Sequence, residues 1–266
     1  WEEVTSGLWT ESGSNVYYDT GNVGIGTTTP RTPLEVSGSF RAGQATGTQW
    51  DAANVGSNSI AMGVNTTASG FRSTAMGWST TASGRNSTAM GNHATASGNN
   101  STAMGWSTTA SGEGSTAMGL STTASGKSST AMGRETTASG FRSTAMGHLT
   151  TAQAFASTVL GRYNRISGDT TNWVDSDPLF AIGNGTSTNR SNAMTVLKNG
   201  NVGIGTISPG GLLGLKDTNT YLDVDGTNNL TFTDSITGTK TLAQLASGSS
   251  LWTDAGTYIN ANNAAN

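Results

Sequence analysis

The chain contains no cysteine. Disulfides, thiolate nucleophiles and sulfur-ligated metals are therefore excluded, and the redox state of the compartment stays open. Charge is scarce: charged residues make up 11% of the 266, and the formal net charge is −3. That balance offers no basic surface for nucleic acid or for an anionic membrane. Apolar residues are also few, at 33%, below the usual globular share. Disorder normally pairs such a deficit with high net charge, which is missing here. No run of about 18 apolar residues occurs, so no helical membrane span is expected. The chain opens on Trp1 without Met or a secretory-signal pattern, and reads as a segment of something longer.

Small residues fill the gap, glycine alone supplying 37. Residues 73–86 read STAMGWSTTASGRN and residues 87–100 read STAMGNHATASGNN. Eight such 14-residue copies begin at Ser59, Ser73, Ser87, Ser101, Ser115, Ser129, Ser143 and Ser157, without insertion. The consensus is S-T-A-M-G-x-x-T-T-A-S-G-x-x. Each half is a short run closed by glycine and two variable residues, too short and too poor in large apolar residues for a helix. Period-two alternation makes each run a strand, and glycine allows the tight turns between them. Two strands and two turns form one coil of a β-solenoid, and eight coils stack into a rod roughly 40 Å long.

Side-chain parity assigns the faces. Ala75 and Ala82, like Ala103 and Ala110, face a coil interior with room only for small side chains. The opposite parity lines Met62, Met76, Met90, Met104, Met118, Met132, Met146 and Leu160 along the outside. An exposed apolar file of that length is a liability for a monomer, and an Ala-filled coil alone buries too little to offset its chain entropy. Both difficulties vanish if several chains meet along the methionines, three being the expected number.

The pattern S-x-A-x-G-x-x-x-x-A-x-G-x-x over residues 59–164 resembles the YadA-like head repeats of trimeric autotransporter adhesins, and occurs also in phage tail fibres. The resemblance implies an all-β fold, a left-handed parallel β-roll in an intertwined homotrimer. Thr74 and Met76 stand where the family usually carries Val or Ile, which implies a softer axial core.

The expected organisation is an N-terminal β module over 1–58, the roll over 59–164, a hairpin region over 165–209 and a C-terminal β module over 210–266. GNVGIGTTTP at 21–30 returns as GNVGIGTISP at 200–209. Both resemble a hairpin-and-turn module of tail fibres and large secreted bacterial repeat proteins. FAIGNG and AMTVLKNG read as strands ending in Asn-Gly hairpin turns. SGLWTESGSNVYY at 6–18 is echoed by SSLWTDAGTYINA at 249–261, which suggests further copies of the unit meeting end to end.

Chemistry is sparse. The GIG of NVGIG lacks the third glycine of a nucleotide loop and reads as a tight turn. Asp223, Asp225 and Gly226 form half a calcium loop without its distal Glu and read as a β-turn. Asp169, Asp175 and Asp177 read as solvated loop carboxylates. His93 and His148 sit four coils apart and cannot share a metal within one chain. Glu113 and Glu135 lie in different turn sets and read as solvated turn charges rather than a glycosidase pair. No catalytic residue, cofactor or metal is therefore assigned. The Thr-Thr pairs leave one threonine of each facing out, a column suited to a solvent-facing strand.

The variable pairs carry the diversity. Phe71, Trp78, Trp106 and Phe141 are large side chains where a turn needs none, and are the candidate surface contacts, for a host-surface protein or glycan or for a neighbouring subunit. The expected function is that of an extracellular, cell-surface or virion-surface fibre segment, adhering through many weak contacts. A purely structural filament and a tail fibre that binds a receptor are the alternatives; an enzyme is not expected.

Overall fold

With two extended runs per 14 residues, every backbone N–H and C=O must find its partner one coil away. The computed structural model meets that demand. It describes residues 54–215 continuously, with the shorter stretches 10–12, 15–17, 22–25, 29–32, 34–36, 40–42, 221–224, 230–234, 238–241, 253–254 and 257–258. The described residues form strands and turns and contain no helix.

Each coil contributes a five-residue strand, such as Thr102–Trp106, and a two-residue strand, such as Thr109–Ala110. Like strands stack parallel in strict register, Thr88↔Thr102↔Thr116 in one sheet and Thr95↔Thr109↔Thr123 in the other. The result is a parallel β-solenoid. Turns stack as well: Ser107 N–H donates to Asn92 O at 2.8 Å and Gly114 N–H to Asn99 O at 2.8 Å. Each coil thus satisfies its backbone polar groups on its neighbours, at a net gain of about 1 kcal/mol per bond.

Four columns fill the interior. Ala75, Ala82, Ala103 and Ala110 are fully buried. Between them lie the repeat serines and the first threonine of each pair, such as Ser101 and Thr108. Ser87 and Ser143 donate to the carbonyls of Gly84 and Gly140 at 2.6 and 2.7 Å. Thr66, Thr80, Thr108, Thr122 and Thr136 bury a hydroxyl without a partner. In one coil the same position is Ala94, also fully buried, so the site needs the volume of a small residue and not the hydroxyl.

Glycine acts in two ways. The next-to-last residue of each long strand from Gly63 to Gly147 is a glycine with φ near +120°, for example +124° at Gly105. The second, such as Gly112, has no such φ but lies so close to the next coil that a Cβ would fall on the carbonyl oxygen of Gly126. The left-handed turn conformation falls elsewhere, on the second variable residue of each pair. Ser79, His93, Glu135 and Leu149 in one turn, and Arg72, Asn86, Arg142 and Ala156 in the other, all have φ between 52° and 56°. The variable letters are therefore less free than the repeat suggests, since a left-handed conformation costs a non-glycine residue about 1–2 kcal/mol.

This gives a reciprocal test. Gly114 (φ +66°) holds the equivalent position in one coil, and a Cβ there would meet only Ser128, at 3.6 Å. Gly114→Ala should cost about 1 kcal/mol through φ alone, and Ala156→Gly should recover up to about 1 kcal/mol. Urea midpoints of the two variants moving in the same direction would contradict this account.

The ladder runs past the repeats. Phe40–Ala42 pairs parallel with Ile60–Val64 at one end, and Pro178–Asn184 pairs parallel with Thr158–Arg162 at the other. Phe180, Ala181, Ile182 and Gly183 take the places of Thr158, Val159, Leu160 and Gly161. The same sheet then turns antiparallel through Asn192–Leu197 and Val202–Ile204. The Asn-Gly at 199–200 makes the expected hairpin, Gly200 N–H donating to Leu197 O at 3.0 Å with φ +92°. The Asn-Gly at 184–185 does not, because a longer loop follows, with Thr186 and Asn189 bonded across it.

The short-strand sheet ends differently. Asn164, 1% exposed, occupies the interior column. Its Oδ1 accepts from Thr151 N–H at 2.7 Å and its Nδ2 donates to Thr151 O at 2.8 Å. One side-chain amide thus does for Thr151 what the next strand does elsewhere.

The flanking echoes have structural counterparts. The two NVGIG copies form the strands Val23–Ile25 and Val202–Ile204, each parallel to a strand eleven residues on, Leu34–Val36 and Leu213–Leu215. The first glycine of GIG, Gly203, is thus a strand residue, and the expected turn falls on the second, Gly205, φ +73°. Near the termini, Thr10–Ser12 pairs antiparallel with Asn15–Tyr17, and Thr253–Asp254 with Thr257–Tyr258. Asp223 lies in the strand Tyr221–Val224, paired with Leu230–Asp234; Asp225 and Gly226 lie outside the described residues.

Candidate ligand-binding surface

The solenoid presents its long strands' outer face, its two columns of turns and the end where the roll meets its flank. On the outer face the methionines stand in one file, Met62↔Met76↔Met90↔Met104↔Met118↔Met132↔Met146. Leu160 and its partner Ile182 extend it. Each methionine is half-buried by its own chain, whereas the alanine beside it is fully buried.

The four turn aromatics separate into two groups. Phe71 and Phe141 belong to the second turns and are 37% and 39% exposed, less than the tryptophans. The guanidinium groups of Arg72 and Arg85 lie 4.7 and 5.5 Å from the Phe71 ring. Phe141 sits where its N–H donates to Thr170 O at 2.8 Å. Trp78 and Trp106 belong to the first turns and are 47% and 52% exposed. His93 packs edge-on against Trp78, ring centroids 4.6 Å apart, and its Nδ1 contacts Asn92 Oδ1.

The acids do not converge. Glu113 pairs with Lys127 at 2.8 Å and Glu135 with Arg134 at 2.9 Å, both on the surface, where such pairs contribute little. His148 packs against Tyr163. No cluster of three or more His, Cys, Asp or Glu able to hold a metal occurs among the described residues. A cavity of about 240 Å³ lies between Arg165, Arg190, Asn192 and Thr206, with no acid in its lining.

In the loop 165–177, Asp169 and Asp175 are exposed, as expected, but Asp177 is not the solvated carboxylate that the sequence suggested. Lys198 has a fully buried side chain, with Asp177 Oδ2 at 3.8 Å and the Trp173 and Phe155 rings at 5.1 and 5.7 Å. Asp177 Oδ2 also accepts from Asp169 N–H at 2.7 Å. Sequence spacing gave no sign of this plug, because its members meet only once the loop folds over the last coil. Trp173 Nε1 donates to Asp175 Oδ1 at 3.0 Å.

Asp169 is exposed but not idle. Its carboxylate accepts N–H bonds from Thr171 and Asn172, both at 2.8 Å. These hold its pKa at about 2, below the usual 3.8. A lowered pKa stabilises the folded loop above pH 3.8, and the contribution is lost as pH falls towards 2. Protection of the Thr171 and Asn172 amides, taken as exchange relative to the unstructured rate at each pH, should therefore fall across that window, and Asp169→Asn should remove the dependence. Protection that stays constant with pH in the native chain would refute the assignment.

Residues 55–80, 82–108, 110–136 and 138–163 each match the family model of the YadA head domain repeat, two copies to a match. A search of curated proteins returns no match to the chain.

Proposed function

We propose, from the YadA head repeats that fill residues 55–163, that this chain is a stretch of an extracellular trimeric adhesin fibre. Three rods would associate along their methionine files and display three copies of each turn column. The observation that carries the proposal is the file itself: seven methionines in register and only partly buried on one face of a coil filled with alanine. Dispersion contacts and apolar burial between such files supply what a thin coil lacks. Adhesion then follows from geometry, since a stiff three-fold array multiplies weak contacts into avidity. Light scattering tests the assembly: a mass near three chains supports it, and a stable single chain at micromolar concentration would refute it.

A further inference from the structure

We propose that the first-turn column binds a neutral, linear β-1,4-linked glycan lying along the rod axis. The inference deepens the adhesin reading and rests on it for its setting.

Trp78 and Trp106 both pair with Asn92, one rung below and one rung above. Their backbones are therefore two rungs apart, about 9.6 Å. An extended β-1,4-linked chain turns the same sugar face to one side at every second unit, and two units span nearly that length. Indoles at this interval can stack on alternate sugars, while an α-1,4 chain coils out of step. The chemistry between them also fits. The pairs at 64–65, 78–79, 92–93, 106–107 and 120–121 contain no Asp, Glu, Lys or Arg, so the strip suits an uncharged ligand. Asn92 sits midway, its Oδ1 against His93, and His93 is braced on Trp78. That bracing fixes both the ring and the amide before a sugar arrives, which limits the ordering cost of binding. Trp78 and Trp106 are about half exposed, enough to leave ring surface for a pyranose.

The test is calorimetric titration of the intact chain with cellohexaose, N-acetylchitohexaose and maltohexaose. At least one of the two β-linked hexaoses should bind and the α-linked one should not. Trp78→Ala or Trp106→Ala should each weaken binding about tenfold, or 1.4 kcal/mol. The decisive variant exchanges Trp106→Leu with Leu120→Trp, which keeps the composition and stretches the interval to three rungs. It should lose affinity as much as the alanine variants. Inert β-linked hexaoses, equal binding of maltohexaose, or full affinity in the exchange variant would each overturn the proposal. Light scattering on the same samples separates the two readings: an intact assembly without glycan binding sinks only this one.

Discussion

Gly105→Ala is expected to break the rod at its middle. Gly105 has φ +124°, a conformation open in practice to glycine alone, and a Cβ there would fall on the carbonyl oxygen of Gly119. Neither neighbour can retreat. Gly119 is held in the same conformation against Gly133, and so on along the column. The backbone must either open the ladder on both sides or abandon the turn, so the cost should exceed about 4 kcal/mol. Limited proteolysis should then cut near residue 105, where the native chain resists. A variant as resistant as the native chain would mean that coils are far more compliant than their register implies.

Met104→Asp should abolish assembly while leaving the coil able to form. The side chain leaves the coil at a partly exposed position on its outer face, so a single chain can hydrate the carboxylate. In the proposed trimer, three such groups would meet near the axis, and removing each ion from water costs several kcal/mol with only like charges for company. The mass by light scattering should fall from three chains to one. Retention of the three-chain mass would place the methionines away from the interface and remove the basis for the avidity argument. Met104→Leu serves as the control, since it keeps the apolar volume at modest cost.

Most of the roll was legible because its two rules are local. Side-chain parity within five residues put Ala103 inward and Met104 outward, and the 14-residue period paired each coil with the next. What escaped depends on contacts that no period encodes. Phe180-Ala181-Ile182-Gly183 joins the ladder after an eight-residue insertion, although its likeness to Thr-Ala-Met-Gly was available to a looser alignment. Lys198 meets Asp177, Trp173 and Phe155 through a loop with no repeat of its own. The left-handed residues were missed for a different reason: the repeat varies there, and Arg72 or Leu149 gives no hint of a positive φ. Among the candidate contacts, the sequence named all four aromatics but could not separate Phe71, clasped by two arginines, from the open indoles.

A stack this regular carries a hazard that Asn164 addresses. Every coil offers its neighbour a ready row of amide groups, and the same row would accept a strand from any other copy of the chain. At Thr151 that invitation is withdrawn, because a single side-chain amide already satisfies the groups that an incoming strand would need. The short-strand sheet is thus sealed where the long one carries on into the flank. Growth by addition of a foreign strand has no foothold at Thr151, and the last short strand closes its sheet within the chain.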